Sequence, residues 1–287
     1  MAKRRLTSLA FLAGLVIAAC ASSGGARDAG TNASATSAQS NAALVARLDG
    51  LVSAFKGGVG VWVGDPATST PLYAHRADEQ VIAASLYKLA VLMEAERRID
   101  AGTLRSDQVI TIQPEDLTGE GSMYEAGTDI TVEQALEAMT TASDNGTALA
   151  LWRLFGDDAI RSTLVRSRVP DFRLDVVGAT MATPRAIGTI FMLLAKSELV
   201  SRAASERMLA RLQRQTINDR LPAGLPDGVV VAHKTGNLPG LTHDAGIILT
   251  PSGPRVVVVM TWDSDEGAAN TLIADIGVAV YRAATDR

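Results

Sequence analysis

The chain is poor in the residues that build metal centres, disulfides and stacking platforms: one cysteine, three histidines and 4% aromatics in 287 residues. A single cysteine excludes an intramolecular disulfide, and the histidines lack the clustering of a zinc site. Basic side chains (27) are outnumbered by acidic ones (31), for a formal charge of −4. Nucleic acid is therefore not an expected partner, since phosphate binding needs a concentrated basic surface and single strands need aromatic platforms. Internal repeats and Gly-rich phosphate loops are also missing. What is present is ordinary globular composition, 47% hydrophobic and 20% charged, with length enough for one large or two ordinary domains. Such a chain is expected to act on something small.

Residues 1–19 stand apart from that domain. Lys3, Arg4 and Arg5 precede an apolar run from Leu6 to Ala19. As a helix this run would rise about 21 Å, short of a ~30 Å hydrocarbon core, so it reads as a signal peptide rather than a span. It ends Ile17-Ala18-Ala19-Cys20, which resembles the lipobox of bacterial lipoproteins. That resemblance implies a lipidated Cys20 as mature N-terminus and a protein exported and anchored to the bacterial membrane, facing the periplasm or the cell exterior. An ordinary secretory signal is the other reading. Residues 20–40, sixteen of them Ala, Ser, Gly or Thr, have no large apolar side chain to bury and are expected to be a flexible tether.

The catalytic domain is expected to span 41–287. Leu44, Val45, Leu48, Leu51, Val52 and Phe55 recur at helical spacing. Val59, Val61 and Val63 alternate with Gly60 and Trp62, the period of a half-buried strand, and a second strand is expected over Pro71–His75. Helical patterns then dominate. Thr131 and Gln134 form a capping box, and Thr183-Pro184 is an N-cap followed by proline at the first helical position. Strands return at Val229–Lys234, Ala245–Thr250 and Val256–Thr261, before a helix bearing Leu272, Ile273, Ile276 and Val280. This order predicts an α/β fold, with an antiparallel sheet (41–84 and 215–287) flanked by N- and C-terminal helices and an inserted all-helical subdomain (85–214).

Chemistry is expected where sheet and inserted helices meet. Ser85 and Lys88 stand at i and i+3 as a helical run begins, which puts both side chains on one face near free backbone amides. A serine hydroxyl needs a neighbour to take its proton, and a lysine with a lowered pKa can do so. Ser143-Asp144-Asn145 follows the capped helix, and Lys234-Thr235-Gly236 ends the strand after His233. Each element alone is weak. Together, in this order, they form the signature of class A β-lactamases and penicillin-binding proteins.

From about residue 41 the chain thus resembles the class A β-lactamase family. The resemblance implies Ser85 as acylated nucleophile, Lys88 as its proton acceptor and Ser143 as proton relay to the leaving nitrogen. It implies that Asn145 holds the substrate's acylamino chain, that Lys234, Thr235 and Gly236 bind its carboxylate, and that the Ser85 and Asn237 amides form the oxyanion hole. The expected substrate is a β-lactam or a D-Ala-D-Ala-like small molecule, the protein a monomer, and no cofactor or metal is called for.

One part of the family pattern is missing. The E-x-x-L-N loop, whose glutamate activates the deacylating water, should lie between Asn145 and Pro184, and this stretch contains no glutamate. Asp157, Asp158, Asp171 and Asp175 are the carboxylates available there. The open alternatives are a penicillin-binding protein or another slow serine hydrolase, and a non-catalytic lipoprotein. His233 should face away from the site, and His243 beside Asp244 lacks a nucleophile elbow, so a Ser-His-Asp hydrolase is not expected. Glu115, Asp116 and Glu120 are read as a solvated loop bordering the cleft.

Overall fold

The computed structural model of the protein describes residues 29–68, 70–118, 121–174 and 180–285, the backbone alone over 29–38. The elements run α1 (Ala29–Ala54), β1 (Gly58–Gly64), β2 (Tyr73–His75), β3 (Val81–Ile82), a 3-10 turn (Ala84–Tyr87), α2 (Lys88–Asp100), β4 (Val109–Thr111), β5 (Asp129–Thr131), α3 (Val132–Thr141) and α4 (Asn145–Phe155). There follow α5 (Asp157–Arg166), β6 (Phe172–Arg173), β7 (Met181–Ala182), α6 (Pro184–Ala195), α7 (Arg202–Leu212), β8 (Val231–Leu238), β9 (Leu241–Thr250), β10 (Gly253–Trp262) and α8 (Glu266–Thr285). Among the described residues, no helix is long and apolar enough to cross a membrane.

The expected order of helix, strands, helical block, strands and helix is the observed one. Strands from both ends of the chain form one sheet, β2-β1-β10-β9-β8, with every pair antiparallel. Helices α1 and α8 cover one face, where Leu44, Leu48 and Val52 meet Val59, Val61, Val257, Ile273 and Ile276. The inserted block covers the other, where Ile187, Ile190 and Phe191 of α6 and Leu89, Leu92 and Met93 of α2 join Val258 and Met260. The caps read in the sequence are in place. Thr131 Oγ1 accepts from Gln134 N at 3.1 Å while Gln134 Oε1 accepts from Thr131 N at 2.8 Å, and Thr183 Oγ1 accepts from Ala186 N at 3.0 Å.

Four expectations need correction. The tether read over 20–40 gives way to helix from Ala29, because alanine, the best helix former, recurs there as α1 extends back from its packed half. Its remainder, with the signal peptide and Cys20, lies outside the described residues. Strand β1 is buried on both faces rather than half-buried. Its second face reads as polar or empty because it carries Gly58, Gly60, Trp62 and Gly64. A Cβ on Gly60 would come within 2.7 Å of Pro184 Cγ, so α6 is seated against glycine backbone. The inserted block is not wholly helical, for β4 pairs with β5, and β6 and β7 pair with each other and with β3 from just before the block, in two small sheets too short to show a period. Finally, β8 runs on to Leu238, so Lys234-Thr235-Gly236 lies within the strand and not at its end.

Helix α2 is the axis of the inserted block, buried from Lys88 through Glu96. Its two buried carboxylates are neutralised in place. Glu94 accepts from Arg97 Nε at 2.7 Å, from Arg98 Nε at 2.5 Å and from Thr163 Oγ1 at 2.5 Å, and Glu96 pairs with Arg207 Nε at 2.6 Å and with Arg211. Burial alone would raise the Glu94 carboxyl. The bonds from Arg97, Thr163 and Arg98 outweigh it and hold the group below the usual carboxylate range.

The α6–sheet contact generates a prediction. A Cβ on Gly188 would lie 2.5 Å from Trp62 Cε3, against a rigid, buried ring. Helix propensity favours alanine by about 1 kcal/mol. Overpacking of this kind costs about 1–3 kcal/mol, so the clash wins. Gly188→Ala should lower Tm by several degrees in thermal unfolding, and an unchanged or raised Tm would contradict this packing.

Candidate active site

The 3-10 turn Ala84–Tyr87 carries Ser85 and runs directly into α2, whose first residue is Lys88. Ser85 is therefore on the turn, with the α-helix beginning three residues later. Ala84, at φ 44°, is in the left-handed region that an alanine rarely adopts, which marks a backbone held by its surroundings. What holds it is visible on both sides. Ala83 N donates to Thr180 O at 2.8 Å, and a Cβ on Gly236 would stand 3.2 Å from Ala83 O, so β8 passes the turn at a distance only glycine permits comfortably.

Ser143 reaches the same place from the α3–α4 link. It adopts φ 60°, and Asp144 behind it caps α4, accepting from Thr147 N at 2.7 Å and from Met123 N. This cap, not a mere helix stop, is why the triplet turns sharply. Asn145 opens α4, its N–H donating to Gly121 O at 3.0 Å. Lys234 arrives on β8.

The side chains converge. Lys88 Nζ donates to Asn145 Oδ1 at 2.7 Å and to the Ser143 carbonyl, and lies 3.0 Å from Ser85 Oγ and 3.3 Å from Ser143 Oγ. Lys234 Nζ donates to Ser143 Oγ at 2.8 Å and to Thr235 O at 2.9 Å. One hydroxyl thus lies between two lysines, each only 1% exposed. Burial pulls the Lys88 ammonium down to about 7, against a smaller upward pull from Asp144. Burial also pushes Lys234 well below the usual lysine range, and the Lys88 cation pushes it further. Lys88 is thus a base available near neutrality, within reach of the one hydroxyl that needs it. Tyr87 packs edge-on to Trp152, ring centroids 5.5 Å apart, beneath this cluster.

Thr235 and Gly236 are buried on the same strand, and Asn237 follows as it becomes exposed. Asn237 Nδ2 donates to Glu266 Oε1 at 3.2 Å, and its Oδ1 accepts from Arg220 Nη2 at 2.9 Å. Arg220 was not readable from the sequence, since it sits in an unpatterned segment between α7 and β8. It is 3% exposed, donates to Gly236 O and His243 O at 3.1 and 3.0 Å, and adds positive charge beside Lys234.

The remaining candidates fall elsewhere. His233 points away from Lys234 and pairs with Asp244 at 2.9 Å. His243 Nε2 donates to Ile82 O at 2.9 Å while its Nδ1 accepts from Thr261 N at 3.2 Å, and burial lowers its pKa to about 4, so it stays neutral. Glu115 is exposed as expected, but Asp116 is buried and paired with Arg153 at 2.7 Å, a partner distant in sequence; Glu120 lies outside the described residues. Asp157 accepts from Trp152 Nε1 at 2.5 Å and Asp158 pairs with Arg161 at 3.3 Å, both on α5. Asp171 is exposed at φ 55° beside the β6–β7 hairpin, where its carbonyl accepts from Gln80 Nε2 at 3.0 Å. Asp175 lies outside the described residues. Among the described residues, no group of three or more His, Cys, Asp or Glu side chains could hold a metal ion.

The family model for the beta-lactamase enzyme family matches residues 43–284. The chain belongs to that family. It is 31% identical over 258 residues to a beta-lactamase of Streptomyces albus G, covering 80% of this chain and 81% of that one. The crystal structure of a beta-lactamase from Sphaerobacter thermophilus superposes with a TM-score of 0.77 at 26% identity, covering 85% of this chain and 96% of that one. An ancestral class A beta-lactamase (GNCA) gives a TM-score of 0.77 at 30% identity over 84% of this chain and 99% of the other. The resemblance seen in the three motifs and the fold expected from it both hold, and the chain is a serine hydrolase of the class A β-lactamase type.

The lowered Lys88 pKa gives a signed expectation. The working base is the neutral amine, so acylation of Ser85 should fall about tenfold per pH unit below about 7 and level off above it. Rapid-quench measurement of covalent adduct against pH tests this. A rate that keeps climbing towards pH 10 would mean that Lys88 is an ordinary ammonium.

Proposed function

We propose that the protein opens β-lactam amides through an acyl-enzyme on Ser85. The observation that carries this reading is Ser143 Oγ lying between Lys88 and Lys234 while Lys88 also reaches Ser85 Oγ. Neutral Lys88 takes the Ser85 proton as Oγ attacks the carbonyl carbon. The Ser85 and Asn237 amides face the developing oxyanion, donors worth ~2.7–4 kcal/mol each in a transition state. As the C–N bond breaks, Ser143 passes a proton to the departing nitrogen and recovers one from Lys88. Lys234, Thr235 and Gly236, with the charge of Arg220 behind them, hold the substrate carboxylate, and Asn145 holds the acylamino chain.

Deacylation is a separate matter. A water must be held and deprotonated beside the ester, and general-base help of this kind contributes about 10²–10⁴-fold. No glutamate occurs between Asn145 and Pro184. Of the four aspartates there, Asp157 and Asp158 are engaged on α5, so Asp171 and Asp175 remain as substitutes. This favours a second reading, a penicillin-binding, D-Ala-D-Ala carboxypeptidase-like hydrolase that acylates readily and turns over slowly.

On either reading we place the protein outside the cytoplasm, tethered through a lipidated Cys20. A single acyl chain binds a membrane only marginally, so stable anchoring calls for the multiply acylated cysteine of lipoproteins. The protein should remain with membranes until detergent is added, and Cys20→Ser should be released. Wild-type protein found free in the periplasm or medium would refute the anchor.

Incubation with a penicillin should give one adduct on the peptide containing Ser85 and none in Ser85→Ala. Turnover should show a burst of about one equivalent before a slow steady state, the pattern expected when general-base help is lost at one step. Asp171→Asn or Asp175→Asn should alter the slow phase only if that carboxylate activates the water. Burst-free turnover at hundreds per second, unaffected by either substitution, would overturn slow deacylation.

A further inference from the structure

The segment between α7 and β8 ties the two halves of the site together. At its start, Gln215 Nε2 donates to Thr140 O at 3.0 Å, and Thr216 donates to Thr141 O from both N and Oγ1, at 3.0 and 2.9 Å. These carbonyls end α3, just ahead of Ser143. At its finish, Arg220 donates to Gly236 O, His243 O and Asn237 Oδ1, and Leu221 N donates to Asp244 Oδ2 at 3.0 Å. The segment is therefore a strap, fixed to the Ser143 side at one end and to the Lys234 strand at the other.

Between those ends a chain of hydrogen bonds, buried at His233 and Asp244 and reaching the surface at Asn218, holds the strap to the sheet. The Asn218 amide donates to Gln215 O at 3.1 Å, and its Oδ1 lies 3.1 Å from His233 Nε2. His233 Nδ1, facing a carboxylate that can only accept, donates to Asp244, with oxygens at 2.9 and 3.0 Å. Asp244 then accepts from Leu221 N. Arg220 lies in the strap between the two points so fixed, Asn218 and Leu221. His233 and Asp244 are 1% and 0% exposed, and none of this chain has a part in the acylation chemistry. Burying a carboxylate and an imidazole ring is costly unless their polar atoms find partners; here Asp244 faces His233 Nδ1 and Leu221 N, and the ring's other nitrogen faces Asn218 Oδ1.

We propose that His233, with Asn218 and Asp244, is a positioning residue that sets Arg220 and, through it, the anion-binding edge of β8 at Gly236 and Asn237. This rests on the reading that this edge receives the substrate carboxylate. Loss of the chain should weaken capture of a carboxylate-bearing substrate and leave bond breaking at Ser85 nearly untouched.

The test uses the full-length protein with His233→Ala and Asn218→Ala. The second changes an exposed residue, so it leaves the fold intact should the first fail to fold. Hydrogen exchange should quicken over residues 215–222 and 234–238 in both variants. Acylation by benzylpenicillin should need about tenfold more substrate for half its maximal rate, the loss expected for a hydrogen bond to a charged group, with the maximal rate kept within about threefold. Benzylpenicillin methyl ester, which lacks the carboxylate, should show no such shift. In an Arg220→Ala background the same substitutions should add nothing. Unchanged exchange over 215–222, or equal losses on acid and ester, would overturn the proposal. If the wild-type protein is acylated by neither compound, it is the proposed activity that fails, and exchange over 215–222 alone then decides whether the chain positions the strap.

Discussion

Two buried lysines share one hydroxyl, and most of the structure serves to keep them there. Lys88 and Lys234 arrive from different halves of the molecule and meet at Ser143 Oγ, 3.3 and 2.8 Å away. A buried ammonium is held against desolvation, and two of them repel. Among the described residues, Ser85, Ser143 and Asn145 answer them with hydroxyl, carbonyl and amide oxygens rather than a carboxylate in direct contact. A carboxylate touching Lys88 would stabilise the ammonium and take away the base. Asp144, the carboxylate whose charge acts on Lys88, has its oxygens committed to the N–H groups of Thr147 and Met123. It caps α4 and bears on Lys88 only through space.

Holding that arrangement requires rigidity from three directions. The nucleophile turn is strained at Ala84 and trapped between Thr180 and Gly236. The Ser143 link is strained and fastened through Asp144. Helix α2 is tied to α5 where Glu94 accepts from Thr163 and to α7 where Glu96 pairs with Arg207 and Arg211, while Arg97 and Arg98 neutralise Glu94 from α2 itself. Such buried pairs contribute little net stability compared with apolar replacements, but removing one partner strands a charge.

Local signals are legible in the sequence because their causes are local. Thr131 with Gln134 and Thr183 with Pro184 cap helices through contacts three residues apart, and the bonds are present. The three motifs converge as the family pattern implied, since each carries its own turn or strand. What escaped depends on distant partners. The glycine face of β1 looked polar because the apolar surface is supplied by α6, more than a hundred residues on. Asp116 looked solvated because Arg153 is invisible from its neighbourhood. The 20–40 segment looked like a tether because its composition buries nothing, yet alanine lets a packed helix extend into it. Arg220 belongs to no motif at all, and only the carbonyls of Gly236 and His243 reveal its place.

The central claim is that burial brings the Lys88 pKa down to about 7, so that neutral amine is available as a base at physiological pH. Only Lys56, Lys196 and Lys234 accompany it in the chain beyond Cys20, so lysine labelled with 13C at Cε would give few signals to assign. The Lys88 signal, identified by its loss in Lys88→Arg, should titrate with a midpoint near 7, well below the ordinary lysine value of 10.5. A Lys88 midpoint at or above the ordinary lysine value would contradict the account.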